Sequence, residues 1–170
     1  MGQQTEIAWT DHTFNPWWGC ARVSPGCENC YAETFSKRVG LKVWGTKSEH
    51  RRFGDKHWAE PLKWAKAAAR DGARRRVFCA SMADVFEGRD EDHADRERLW
   101  DLIHATPQLD WLLLTKRPEN MRALAPWDIW PVNVWAGTTV EDQQRADERI
   151  PHLLRVPAAV RFLSCEPLLG

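Results

Sequence analysis

The stretch Trp111-Leu112-Leu113-Leu114-Thr115-Lys116-Arg117-Pro118 reads as a strand that stops abruptly: four apolar residues, one Thr, then two cations and a proline. An apolar run without alternation suits a strand covered on both faces, as in a parallel sheet. Three other runs follow the same plan. Val77-Phe78-Cys79-Ala80 leads into Ser81-Met82-Ala83-Asp84, Val132-Asn133-Val134-Trp135-Ala136 into Gly137-Thr138-Thr139, and Val160-Arg161-Phe162-Leu163-Ser164 into Cys165-Glu166. Helical signals lie between them. Pro61 suits a first helical turn, and Leu62 to Arg70 runs in good helix formers to a stop at Gly72. Asp92 to His104 puts Leu99, Leu102 and Ile103 on one stripe, with Pro107 beyond. Thr138 with Glu141 predicts a capping box, opening a polar helix that Pro151 breaks or restarts. Strands alternating with helices at this spacing predict βαβ units and a parallel sheet.

Toward the N-terminus, Glu6-Ile7-Ala8-Trp9-Thr10 is the predicted first strand and Cys30 to Val39 the first helix, ended by Gly40. Residues 41–58 form a basic, aromatic insertion with Lys42, Trp44, Lys47, His50, Arg51, Arg52, Phe53, Lys56, His57 and Trp58. Five strands result, in one domain over residues 1–170 shaped as a partial, open TIM-like barrel. The sequence stops just past a strand, at Gly170, with no helix to cover it. We therefore expect a truncated C-terminus and a raw strand edge, open to a homodimer or a protein partner.

The length of 170 residues leaves room for one core, and 43% apolar with 28% charged residues excludes a disordered chain or a coiled coil. No uncharged apolar run approaches the ~20 residues that cross a bilayer, and Met1 to Glu6 has no basic segment leading into an apolar one, which predicts a cytoplasmic protein. Zero net charge excludes a uniformly basic coat for nucleic acid. The charge is nevertheless divided. Residues 37–76 carry 13 Lys and Arg against four acids, and residues 84–110 carry nine acids against three Arg. The basic aromatic stretch 42–58 is thus a candidate contact for nucleic acid, its cations meeting phosphates and Trp44, Phe53 or Trp58 stacking on bases.

The central motif is Asn15-Pro16-Trp17-Trp18-Gly19-Cys20-Ala21-Arg22-Val23-Ser24-Pro25-Gly26-Cys27-Glu28-Asn29-Cys30-Tyr31. Three of five cysteines fall within residues 20–30, a spacing that suits a metal or cluster site in a reducing compartment better than a disulfide framework. Two ligands fit. A structural zinc needs a fourth group, recruited from His12, His50 or Cys165. A four-iron cluster on Cys20, Cys27 and Cys30 keeps one iron open to a small molecule. Cys79, inside a strand, reads as a buried hydrophobe.

A three-cysteine loop behind the first strand, with an aromatic residue beside the last Cys and parallel βα units after it, resembles the radical S-adenosylmethionine (SAM) superfamily. Trp9-Thr10, Phe14-Asn15-Pro16-Trp17, Gly19-Cys20, Ser81 to Phe86, Leu114 to Pro118, Trp135 to Glu141 and Ser164 to Leu168 are moreover similar to a phage and prophage family of three-cysteine-motif proteins without an assigned activity. The first cysteine gap is longer than that superfamily commonly has, and Ser81-Met82-Ala83-Asp84 stands where a Gly-Gly-Glu is common.

The resemblance implies a 4Fe-4S cluster on Cys20, Cys27 and Cys30. SAM would bind the open iron, and one electron would release a deoxyadenosyl radical that abstracts hydrogen from the substrate. The natural protein would continue beyond Gly170, in the cytoplasm of a bacterial host. In barrels of this kind the working groups sit at the C-terminal strand ends. Asp84 is then a candidate for the SAM ammonium and Arg117 or Lys116 for its carboxylate. Thr138, Thr139 or Glu166 would meet the ribose hydroxyls, and Lys116 and Glu166 are the candidates for catalysis. The substrate implied is a nucleic acid or nucleotide; the alternative is a non-catalytic zinc module that binds nucleic acid or serves as a phage accessory protein.

Overall fold

The structure, a computed structural model, describes residues 7–170. Five parallel strands form one sheet in the order β1 (His12–Thr13), β4 (Arg75–Cys79), β5 (Leu109–Thr115), β6 (Val134–Thr139) and β7 (Val160–Ser164), with β1 and β7 at its edges. The short strands β2 (Trp17–Trp18) and β3 (Arg51–Arg52) pair antiparallel beside it. The helices are α1 (Tyr31–Arg38), α2 (Asp55–Trp58), α3 (Glu60–Asp71), α4 (His93–Ala105), α5 (Met121–Leu124) and α6 (Gln143–Leu154). The expected parallel α/β sheet of five strands is present.

Successive strand residues face opposite ways, and this period of two divides the sheet into two environments. Val77 and Cys79, Trp111 and Leu113, and Val134 and Ala136 join Trp64 and Ala68 of α3, Leu99 and Ile103 of α4 and Leu153 of α6 in the main core. Phe78, Leu114 and Thr139 point the other way and line a cavity. Seven of the eleven tryptophans are buried, so indole packing fills much of the protein.

Several boundaries differ from the sequence reading. Of the predicted first strand, Glu6 lies outside the described residues and Ala8–Trp9 form a turn, closed by the Thr10 N–H on the Ile7 carbonyl (3.1 Å). The edge strand comes later, where His12 and Thr13 pair with Val77 and Phe78. Trp9 packs on Phe78 instead, at 4.9 Å between ring centroids. The strand expected at Val132 begins at Val134, because Val134 N–H closes a turn on the Pro131 carbonyl (2.9 Å).

The capping box is absent. Asp142 caps α6 by accepting from the Arg145 N–H (2.7 Å), and Thr138 remains in β6 with its hydroxyl donating to the Thr115 carbonyl (2.9 Å). Pro151 does not end the helix either: α6 runs through it to Leu154 and places Leu153 in the core.

The basic and acidic segments meet in space. Arg52 pairs with Asp92 (3.3 Å) and Asp95, Arg98 with Asp55 (2.7 Å), and Arg74 with Asp110 (2.6 Å). The buried His50 ring sits on Asp92 (3.0 Å). Much of the sequence's charge division is therefore an internal complement. Among the described residues no helix is long and apolar enough to cross a membrane.

Candidate metal and cofactor site

The cysteine loop is placed by the strand end beside it. Asn15, fully buried, accepts from the Met82 N–H (2.6 Å) and donates to Ser81 Oγ (3.1 Å), and Gly19 N–H donates to the Met82 carbonyl (3.0 Å). Tyr31 closes the far end of the loop, its hydroxyl donating to the Ser81 carbonyl (2.7 Å). Gly19 is required here. Its φ is +133°, and a Cβ would lie 2.2 Å from His50 Cδ2 and 2.5 Å from the Val43 carbonyl.

Cys20, Cys27 and Cys30 all line one cavity of about 890 Å³, with all three thiols unbridged. That volume is in the range of small-molecule and cofactor sites, about 300–1,000 Å³. Asp84, Lys116, Arg117, Thr139 and Glu166, from the C-terminal ends of successive strands, line the same cavity. Trp9, Phe78 and Leu114 supply apolar wall, and Trp44 reaches it from the insertion. The structure thus gathers eight of the nine expected site residues. Thr138 is the exception: it is fully buried, one position out of phase with Thr139, and faces the helices.

Asp84 and Arg117 are bonded to each other. The Asp84 carboxylate accepts from Arg117 Nη1 (2.9 Å), Thr115 Oγ1 (2.7 Å) and the N–H groups of Phe86 (3.0 Å) and Lys116 (3.2 Å). Arg117 also donates to the Ala21 carbonyl (2.8 Å) and lies 3.7 Å from Cys20 Sγ. Burial pushes the Cys20 thiol well above its usual range and Asp84 adds to this, while the Arg117 cation opposes both. Arg117 is thereby the group that offsets negative charge when a ligand takes the Cys20 sulfur as thiolate.

Among the described residues no three His, Cys, Asp or Glu side chains are set to hold a single metal ion. Of the recruits considered for a fourth zinc ligand, His50 sits on Asp92 and His12 stacks on Trp64 at 4.4 Å, while Cys165 is exposed and does not line the cavity. A four-iron cluster presents its irons at separate corners, so its thiolates need not meet at one atom. Three thiols on one cavity wall, a cation beside one of them and polar groups opposite fit such a cluster with an open corner.

Two contributors escaped the sequence reading. Glu141 is fully buried, accepting from Ser24 Oγ (2.6 Å) in the cysteine loop and from Arg149 (2.7 Å). Glu33 of α1 pairs with Lys37 (2.7 Å) and Arg22 (2.8 Å), and these two bonds outweigh burial to hold its carboxyl below the usual range. The three-residue spacing from Thr138 to Glu141 imitated a capping box. Nothing local marks Glu141 as a partner of Ser24.

A family model described as a protein of unknown function, DUF5131, matches residues 4–170. The chain belongs to that family. No curated protein matches it significantly in sequence. Its fold is similar to a solved structure of a spore photoproduct lyase mutant, with a TM-score of 0.65 and 18% identity, over 96% of this chain and 47% of that one. The family member described here therefore spans about half the length of that lyase. An identity so low establishes likeness of fold alone.

Proposed function

We propose that this protein is an iron–sulfur enzyme of the radical SAM type. The single observation carrying the proposal is that Cys20, Cys27 and Cys30, in a loop that resembles that of the radical SAM superfamily, open onto one cavity walled by the C-terminal strand ends, on a fold similar to that of a spore photoproduct lyase. Cys20, Cys27 and Cys30 would hold the cluster, which supplies an electron to the sulfonium of SAM. The chain's own residues bind and orient. Lys116 offers a cation to a carboxylate, Thr139 and Glu166 offer acceptors to hydroxyls or an ammonium, and Trp9, Phe78 and Leu114 exclude water. Asp84 and Arg117 have a different part: Asp84 fixes Arg117 beside Cys20, where its charge favours the thiolate.

For substrate the proposal is a nucleic acid or nucleotide. Trp44 lines the cavity, and Lys42 and Lys47, close to it in sequence, have exposed side chains. His50 and Trp58 are buried, which removes them from any such contact. Arg51 lies over Trp18 and Phe53, at 4.9 and 5.4 Å from the ring centroids.

Anaerobic reconstitution with iron and sulfide tests the enzyme reading. About four irons and four sulfides per chain are expected, with a visible absorption that changes on adding SAM. One tightly held zinc and no iron uptake would overturn it. For the substrate, Lys42→Glu with Lys47→Glu is expected to weaken binding of a single-stranded oligonucleotide and to flatten its salt dependence. An unchanged slope removes the stretch from the substrate contact.

A further inference from the structure

Between Cys20 and Cys30 the loop has one short 3-10 turn, Pro25–Cys27. It is closed by the Cys27 N–H on the Ser24 carbonyl and the Glu28 N–H on the Pro25 carbonyl, both 2.9 Å. Fixing such a backbone costs about 1–2 kcal/mol per residue, so something outside the turn must hold it.

Glu141 is placed to do so. Its Oε1 takes the Ser24 hydroxyl across 117 residues of sequence. Arg149 holds the same oxygen and also donates to the Thr139 carbonyl (2.8 Å), tying the carboxylate to the end of β6. The other oxygen, Oε2, is buried without a hydrogen-bond partner and lies against Gly26, where an added Cβ would come within 1.7 Å of it. Glycine is therefore the residue that lets the turn close onto the carboxylate. Glu141 also accepts the Leu169 N–H on its own carbonyl (2.7 Å), bringing in the segment that carries Glu166. One residue thus joins the cysteine loop, the sheet and the opposite cavity rim.

We infer that Glu141 is a positioning residue for the cysteine loop, acting through Ser24 and Gly26 to hold Cys27 at the cavity wall before any ligand arrives. The loop is ordered during folding rather than at loading, which preserves binding free energy for the ligand. The anchoring stands on the loop's own geometry; its benefit to a cluster rests on the proposed function.

Amide hydrogen exchange on the full chain, without added metal, reads the anchoring directly. In Glu141→Ala the buried Arg149 also loses its counter-charge, so β5 reports any global loss, and the Cys27 and Glu28 amides are expected to accelerate about tenfold more than the β5 amides do. Glu141→Gln keeps an acceptor for Ser24 and Arg149 and should restore exchange to within about twofold of wild type. Acceleration no greater than that of β5 in Glu141→Ala, or equal loosening in the Gln variant, overturns the inference. Should Glu141→Ala fail to fold, Ser24→Ala leaves the Glu141–Arg149 pair intact and is expected to loosen the same two amides; no loosening there overturns it equally. In parallel, reconstituted Glu141→Ala should lose iron to a chelator faster than wild type, with the Gln variant close to wild type. A wild-type chain that takes up no iron ends the enzyme reading and leaves the exchange comparison standing.

Discussion

The sheet and the cysteine loop are held by different kinds of bonding. From Arg75 to Ser164 the strands β4, β5, β6 and β7 lie in continuous parallel register, and the inward residues of β4, β5 and β6 meet α3, α4 and α6 in one apolar core. The loop from Asn15 to Tyr31 is fastened largely from outside: by Met82 and Ser81 on Asn15, Arg117 on the Ala21 carbonyl, Glu141 on Ser24, and Tyr31 on the Ser81 carbonyl. The scaffold's shape follows from local pattern and burial. The loop's shape is imposed by strand ends that lie 50 to 117 residues away in sequence. The chemistry-bearing segment is therefore only as ordered as the sheet that holds it, and damage to a strand end reaches the cysteines.

That contrast breaks most sharply at Asp84. Its removal leaves Arg117 buried without its counter-charge, a change that costs about 3–5 kcal/mol when the other partner stays. Asp84→Ala should accordingly lower the urea midpoint and disorder the loop together; a loss from the loop alone, with the midpoint unchanged, would show the two regions to be independent. Cys27→Ser is the opposite probe. It should leave the global unfolding free energy within about 0.5 kcal/mol while abolishing iron uptake, because Cys27 is only partly buried at the loop surface.

The smallest effect concerns pH. Burial holds His57 below its ordinary value of 6.5, outweighing the bond from its Nε2 to the Asn15 carbonyl (2.8 Å), so the folded ring takes up a proton less readily than the unfolded one. The unfolded chain then takes up this proton first. Its contribution to stability is full above 6.5, declines as the pH falls below that value, and levels off beneath the folded pKa. Unfolding at about pH 7.5 and about pH 5 should show this slope, and His57→Gln should remove it.

Legibility in the sequence followed the same division. The runs at Val77 and Trp111 were readable as strands because burial leaves a nearly unbroken apolar signature, whereas the edge strand at Val160, with Arg161 and Leu163 exposed, was readable from its β-branched and aromatic residues. The helices at Glu60 and His93 showed their stops and stripes. Placing β1 at Glu6 to Thr10 went wrong because a two-residue edge strand pairs through its backbone, and His12–Thr13 carries no apolar run to announce it. Thr138 and Glu141 misled because a capping box is a spacing, and the same spacing occurs where a strand ends and a buried carboxylate begins.

The sequence by itself determined the class of fold, the three-cysteine loop and the polar strand ends that face it, since each depends on residues close together in the chain. Tertiary structure alone decided that Asp84 serves Arg117, that Thr139 and not Thr138 meets the cavity, and that Glu141 fastens Ser24 and Gly26. Those pairings follow from strand phase and from contacts between distant segments, and a charge or hydroxyl carries no mark in the chain of the partner that burial will bring to it.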